Sequence, residues 1–313
     1  MAEFFLWILH VLHKFLYSFL ILPKTKPGAA TGKWRMGRGL GRFILCAANA
    51  RGFNGFAFLI CPKNMKTCMA CWKNGDIMNL FAIGDLHLSM GTDKPMDIFG
   101  GVWEDYVEKL AKNWQSVVGE DDVVVICGDV SWAINFTELY PDFAFLQKLN
   151  GKKYILKGNH DYWWTTVHKM QSFLDENKFD SISILHNNSF PFGNLAICGT
   201  RGWFLDAGDT GGQNQKIFNR EVGRLSASLD FAKKQYPAHE RVAFLHYPPV
   251  YTGYRCEEIL AVLKAFDVER CYFGHLHGTA HHRVVEGMVD TVRMKLIAAD
   301  YLRFTPHLVA KSE

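Results

Sequence analysis

No internal repeat of solenoid period and no low-complexity tract interrupts this sequence, which excludes repeat architectures. Charge of one sign is not in excess. The net value is +4, from 35 Lys and Arg against 31 Asp and Glu, so bulk charge gives no argument for a nucleic-acid partner. No second cysteine pair stands at a finger-like distance from Cys68-Met-Ala-Cys71, and no βαβ pattern surrounds it. That lone pair is weak support for a metal or redox site. No basic region precedes the apolar stretch near the start, where Glu3 is the only charge before His10, which argues against a cleaved signal peptide. What is present is apolar mass. Across 313 residues, 49% are hydrophobic and 21% charged, enough for one large or two small domains and too apolar for global disorder.

The near-balance of charge hides two kinds of sequence. Residues 1–77 carry a net +9, and residues 78–313 a net −5. The first part is a basic, Gly-rich leader. Its residues 4–22 form a 19-residue apolar stretch long enough to span a bilayer, with Lys14 near the middle. Two readings of the leader stand. It is a membrane anchor, in which case the following Lys and Arg leave the body in the cytoplasm. Or it is upstream sequence joined by a misplaced start, with Met78 directly before the first strand of a complete domain. The second is preferred. Of the cysteines of the body, Cys127, Cys198 and Cys271 sit in apolar runs and suit a reducing compartment. The expected location is the cytoplasm, with membrane contact only if the leader belongs to the protein.

From residue 78 the pattern is regular. Asn79–Gly84, Asp122–Cys127 and Lys153–Leu156 read as buried strands. Between and after them, Trp103–Val118, Phe136–Leu149 (interrupted by Pro141) and Tyr162–Asp175 read as helices. Alternation of that kind predicts parallel strands with right-handed crossovers. Further apolar runs follow at Ser181–Leu185, Leu195–Cys198, Val242–His246, Arg270–Phe273, Ala280–Val285 and Lys295–Ala298. Gln213–Tyr236 has the spacing of a long amphipathic helix. Two packed sheets with outer helices are expected.

The chemistry lies at the strand ends. They read Gly84-Asp85-Leu86-His87, Gly128-Asp129, Gly158-Asn159-His160-Asp161, His246-Tyr247-Pro248-Pro249 and Gly274-His275-Leu276-His277. Ligands of open α/β sheets bind beyond the carboxyl ends of the strands, so these five blocks converge on one place. Asp and His together suit borderline divalent metals such as Mn, Fe and Zn. Asp85, His87, Asp129, Asn159, His246, His275 and His277 are too many donors for one tetrahedral ion with an open position. Two ions about 3.5–4 Å apart are the natural solution, and such pairs serve in-line phosphoryl displacement.

The five blocks, in this order, resemble the calcineurin-like metallophosphoesterase superfamily over about residues 78–300. The likeness points to a bacterial group described as predicted phosphohydrolases. It implies a four-layer α/β/β/α sandwich. One metal would be held by Asp85, His87, Asp129 and His277, and the other by Asp129, Asn159, His246 and His275, with Asp129 bridging. Manganese is the first choice, Fe or Zn the alternatives. It further implies that a metal-bridging hydroxide attacks phosphorus. His160 would stabilise the transition state or protonate the leaving oxygen, with Asp161 orienting its ring. The second block departs from the family pattern G-D-x-x-[DN], because Gly128-Asp129-Val130-Ser131-Trp132 lacks the final acid. The Asp-Arg pair of Ser/Thr protein phosphatases is also absent, which argues against a protein substrate. A small or medium organic phosphate is expected. Two other readings are a scaffold that kept the fold without activity, and a membrane-surface hydrolase of a lipid-linked pyrophosphate.

Three side chains near the blocks are candidate substrate contacts. Arg201, in Gly199-Thr200-Arg201-Gly202-Trp203, reads either as a bidentate phosphate grip or as a surface salt bridge. Trp132 and Tyr162, with Trp163, Trp164 and Tyr247, either stack on a substrate or pack the loops.

Overall fold

The structure is a computed structural model, and it describes residues 44–48, 57–61, 77–205 and 212–312. By its internal contacts the chain divides into two units, Met1–Gly75 and Asp76–Glu313. In the first, β1 (Ile44–Ala48) pairs antiparallel with β2 (Ala57–Cys61). The apolar stretch 4–22 and the pair Cys68/Cys71 lie outside the described residues. Among the described residues no helix is long and apolar enough to cross a membrane.

The second unit holds two sheets. In one, β3 (Asn79–Ile83), β4 (Val123–Cys127), β5 (Lys152–Leu156) and β6 (Ile182–Ile184) run parallel. In the other, β8 (Leu195–Thr200), β9 (Glu240–Leu245), β12 (Arg270–Phe273) and β14 (Val292–Leu296) run parallel. Antiparallel strands close three edges: β7 (Ser189–Phe192) on β8, β13 (Gly287–Val289) on β14, and β15 (His307–Lys311) on β3. Strand order is β15-β3-β4-β5-β6 and β13-β14-β12-β9-β8-β7. A short hairpin, β10 (Val250–Tyr251) with β11 (Tyr254–Arg255), stands apart.

The central strands are apolar at nearly every position because both faces are covered. Along β3 and β4, Leu80, Ala82, Val123, Val125 and Cys127 pack with Leu195, Ile197, Val242 and Phe244 of the opposite sheet. The alternate residues, Phe81, Ile83, Val124 and Ile126, pack outward with Leu110 and Trp114 of α1 (Tyr106–Val117). Phe143 and Leu146 of α2 (Phe136–Lys148) and Phe173 of α3 (Val167–Glu176) join them. On the far side, Ala196, Cys198, Ala243, Leu245 and Phe273 pack with Phe218, Leu225 and Leu229 of α4 (Gly212–Gln235). Ile259 and Leu263 of α5 (Glu257–Ala265) complete that layer. The order is helix, sheet, sheet, helix: the four-layer α/β/β/α sandwich.

Three expectations about local structure change. Pro141 does not interrupt α2, which runs through it. One lost backbone bond is outweighed by burying Leu139, Phe143 and Leu146, and Asn135 caps the helix by accepting from the Glu138 N–H at 3.0 Å. Residues 162–166 are loop rather than helix, and α3 starts at Val167 after the Thr166 cap. Ala280–Val285 is mostly 3-10 helix rather than strand, within Gly278–Arg283.

Candidate metal centre

All five blocks meet at the carboxyl ends of β3, β4, β5, β9 and β12. The loops are hydrogen-bonded side by side as they leave the sheets. The Asp85 N–H donates to Gly128 O (2.9 Å), the His87 N–H to Asp129 O (2.9 Å) and the Gly274 N–H to His246 O (3.1 Å). Four of the seven expected ligands, Asp85, His87, Asp129 and His275, have left-handed backbones, with φ of 55°, 47°, 49° and 70°. That region costs non-glycine residues conformational energy and persists where the surroundings over-determine it. Close approach also demands glycine: a Cβ on Gly158 would stand 2.1 Å from Asp129 Oδ1, and one on Gly274 would stand 2.4 Å from Asp85 Oδ2.

The side chains converge with their lone pairs toward one another. The His246 Nδ1 lies 3.0 Å from Cys127 O and donates its proton there, which leaves Nε2 as an acceptor. That Nε2 is 2.6 Å from Asn159 Oδ1, 3.2 Å from His275 Nδ1 and 3.5 Å from Asp129 Oδ2. Asp129 Oδ1 accepts the His160 N–H at 2.7 Å, whereas its buried Oδ2 has no hydrogen-bond partner. Oδ2 lies 3.8 Å from His87 Nε2, so it stands between an imidazole of each half of the site. Both ring nitrogens of His87 are likewise buried without partners. Two groups have ligand atoms all within 4.8 Å: Asp85, His87 and His277, and Asp85, Asp129 and His246.

Acceptors packed against acceptors, with orphaned buried atoms among them, fit divalent cations. The electrostatics agree. Burial, then the charge of Asp129, pushes the Asp85 carboxyl well above its usual range, and burial lifts Asp129 to about 6. Burial also drives His87 well below the usual imidazole value, His246 to about 3 and His275 to about 2. The imidazoles are thus neutral and ready to coordinate, and the carboxylates lack only a positive charge.

His160 and Tyr162 stand at the rim, the His160 Nδ1 3.1 Å from the Tyr162 hydroxyl. The expectation that Asp161 orients the His160 ring is corrected. The buried Asp161 carboxylate instead accepts N–H groups from Gly158 (2.6 Å), Asp129 (2.9 Å) and Val130 (2.9 Å), and the Trp163 indole N–H at 3.1 Å. It clamps the β4 and β5 loops together. Trp132 stacks on His87 with centroids 5.0 Å apart and lies 4.5 Å from the His160 ring, so it packs the loops that carry both. Arg201 forms an ion pair with Glu221 at 3.2 Å, at a buried place rather than on the surface.

Four residues that support the site escaped the sequence reading. Asp300 accepts the Gly278 N–H at 2.7 Å and lies 3.3 Å from His281 Nε2, so it holds the loop that carries His277. Its place two residues beyond the apolar run 295–298 was the available signal. Asp142, on α2, lies 2.5 Å from the Ser131 hydroxyl and accepts the Met90 N–H at 2.8 Å. An acid thus reaches the second block from a helix. Trp103 packs edge-on against both His87 and His277, and the Tyr106 hydroxyl donates to His87 O at 2.9 Å. Nothing local marks these two.

A family model described as calcineurin-like phosphoesterase matches residues 78–279. The Gene 66 protein of Mycobacterium phage L5 is 34% identical over 85 residues, 26% of this chain. The match spans 40% of that relative's length. Among solved structures, a phosphopantetheinyl hydrolase from Mycobacterium tuberculosis is 14% identical, with a TM-score of 0.46 over 74% of this chain and 95% of that one. The AQ665 protein from Aquifex aeolicus is also 14% identical, with a TM-score of 0.41 over 74% of this chain and 95% of that one.

Proposed function

The chain belongs to the calcineurin-like phosphoesterase family, and from that premise we propose that residues 78–313 form a binuclear metal-dependent phosphoesterase acting on an organic phosphate. Asp85, His87, Asp129 and His277 hold one ion, and Asp129, Asn159, His246 and His275 hold the other. Manganese is the first choice, with Fe or Zn as alternatives. Such a pair supplies Lewis-acid charge for in-line displacement at phosphorus. The observation that carries this reading is Asp129: one oxygen is fixed by the His160 N–H, and the other is buried, unpartnered and flanked by His87 and His246.

The remaining roles fall to the chain's own groups. Asp161 fixes the β4 and β5 loops through their N–H groups, which sets the position of Asp129. Tyr162 holds His160 at Nδ1 and leaves Nε2 for the leaving oxygen, where it delivers a proton or opposes developing charge. Trp132 covers one face of His87 and borders His160, which limits water there. Cys127, Cys198, Cys256 and Cys271 are free and buried, which supports a reducing compartment such as the cytoplasm.

The test is metal analysis of protein purified with Mn, joined to a screen of monoester, diester and pyrophosphate substrates. Two ions per chain with hydrolysis of one class is expected. No bound metal and no turnover on any class would overturn the reading. A chain of residues 78–313 is expected to fold, bind two ions and turn over at the full-length rate. Aggregation of that chain, with full-length protein active, would place residues 1–77 in the working domain.

A further inference from the structure

Beside the metal centre the molecule gathers more positive charge than its own folding uses. Glu221 of α4 is buried, at 1% exposure, against the end of β8. Its Oε1 accepts from Arg201 at 3.2 Å and from Arg224 at 2.6 Å, and its Oε2 accepts from the Thr200 hydroxyl at 2.7 Å. Lys157 directly follows Leu156, the last residue of β5, whose Cδ2 would stand 3.1 Å from a Cβ on Gly199, and its ammonium is within electrostatic range of Arg201, Asp161, Glu221 and Arg224. His186, beyond β6, is within range of Lys157, Arg224 and Glu221. Among the described residues Glu221 is thus the carboxylate that bonds Arg201 and Arg224; Asp161 also acts on Lys157 and Asp129 on Arg201, but the Asp161 oxygens are taken up by backbone N–H groups and Asp129 faces the metal centre.

Tying the helix to the strand does not require three cations. The Thr200–Glu221 bond does so, and so does Ser228 of the same helix, whose hydroxyl accepts the Gly199 N–H at 3.0 Å. The surplus is half-buried, where like charges repel more strongly than in water. It is also not fully engaged. The Arg201 Nε is buried and has no hydrogen-bond partner, and its guanidinium lies 4.6 Å over the Trp203 ring. Arg201 joins this cluster to the metal centre: its carbonyl accepts the His246 N–H at 3.1 Å and the Tyr247 N–H at 2.8 Å, and its charge acts on both Asp129 and His246.

We propose that Lys157, Arg201 and Arg224 form an anion subsite beside the metal centre, and that it takes a second phosphate of the substrate. The substrate class is then an organic ester carrying two phosphate groups, one held at the metals and the other on these cations. A doubly charged phosphate would balance the surplus, and guanidinium and ammonium donors match its oxygens. The proposal deepens the phosphoesterase reading and rests on it.

Two measurements test it. First, inorganic phosphate is titrated calorimetrically into full-length protein stripped of metal by chelator. Binding is expected to weaken about tenfold in Lys157→Met and in Arg224→Gln, the loss of one charge-assisted hydrogen bond. Second, glucose 6-phosphate and glucose 1,6-bisphosphate compete against nitrophenyl phosphate in the Mn-loaded enzyme. The bisphosphate is expected to inhibit at least about tenfold more tightly, and that advantage should shrink to about twofold in either variant. If one variant does not fold, the other carries the comparison. An active enzyme that treats both sugars alike, or variants that keep the full advantage, would overturn the subsite. Lack of any hydrolysis would instead remove the phosphoesterase reading, and the phosphate titration would then still decide the subsite.

Discussion

The two sheets furnish the centre with different chemistry. The five-stranded sheet delivers both carboxylates, Asp85 and Asp129, together with Asn159, His87 and His160, on three neighbouring loops. The six-stranded sheet delivers only the imidazoles His246, His275 and His277, with Arg201 on its flank. The supports differ in the same sense. Carboxylates are gripped by backbone N–H groups: Asp85 by that of His275 at 2.9 Å, Asp129 by that of His160 at 2.7 Å. His246, in contrast, is backed by a carbonyl, Cys127 O at 3.0 Å, which fixes its tautomer. One sheet thus anchors negative charge and the other aims neutral lone pairs at it. The two sets sit together in a buried space only if positive charge joins them.

Removing charge from the first sheet's contribution should do most harm. Asp129→Asn is expected to cost about 10⁴-fold in rate, since cation charge stabilisation is worth several kcal/mol. Metal content should fall with it. Two ions per chain with full turnover in that variant would mean that Asp129 is not the shared ligand.

His160 belongs to the same sheet but touches no proposed ion. His160→Ala should keep its metal and lose about 10²–10³-fold in rate, within the span of general-acid contributions. A nitrophenyl ester should suffer less than an alkyl ester, because its leaving group needs no proton. Equal losses on the two would assign His160 to charge stabilisation. Tyr162→Phe removes the hydroxyl 3.1 Å from the His160 Nδ1. About a fivefold loss is expected, the worth of one hydrogen bond of about 1 kcal/mol. A loss as large as that of His160→Ala would mean that the phenol itself reacts.

A separate effect concerns stability rather than rate. Burial lifts the Asp142 carboxyl to about 6 from its ordinary 3.8. The folded chain therefore holds this proton more tightly than the unfolded chain does. The stabilisation it brings is full below about pH 4 and is lost as pH rises through about 6. Asp142→Asn should flatten that decline, by at most about 3 kcal/mol, in denaturant titrations between pH 4 and 7. Parallel curves for the two proteins would show that Ser131 and the Met90 N–H already satisfy the ionised form.

The site was legible where its residues follow strands directly. Asp85, Asp129, Asn159, His246 and His275 each stand within three residues of a strand end, and the structure brings them together. Edge strands were harder to see. β7, β13 and β15 are short, partly exposed and antiparallel, so they lack the continuous apolar run of a strand covered on both faces. Residues 162–166 read as helix because they run directly into the segment that forms α3. Asp161 holds them as loop through the Trp163 indole and the Trp164 N–H.

The sequence alone determined the α/β class, the strands of the core and the Asp, Asn and His side chains that gather at the strand ends, because strand burial and donor chemistry both depend on residue type and local order. Only the tertiary structure decided how charge is shared among them. Asp161 serves backbone N–H groups instead of a histidine, Asp142 reaches Ser131 from a helix, and Glu221 sits among Arg201, Arg224 and Lys157. A buried carboxylate takes whichever donors the packed layers bring within about 3 Å, and those donors come from segments far apart in the chain.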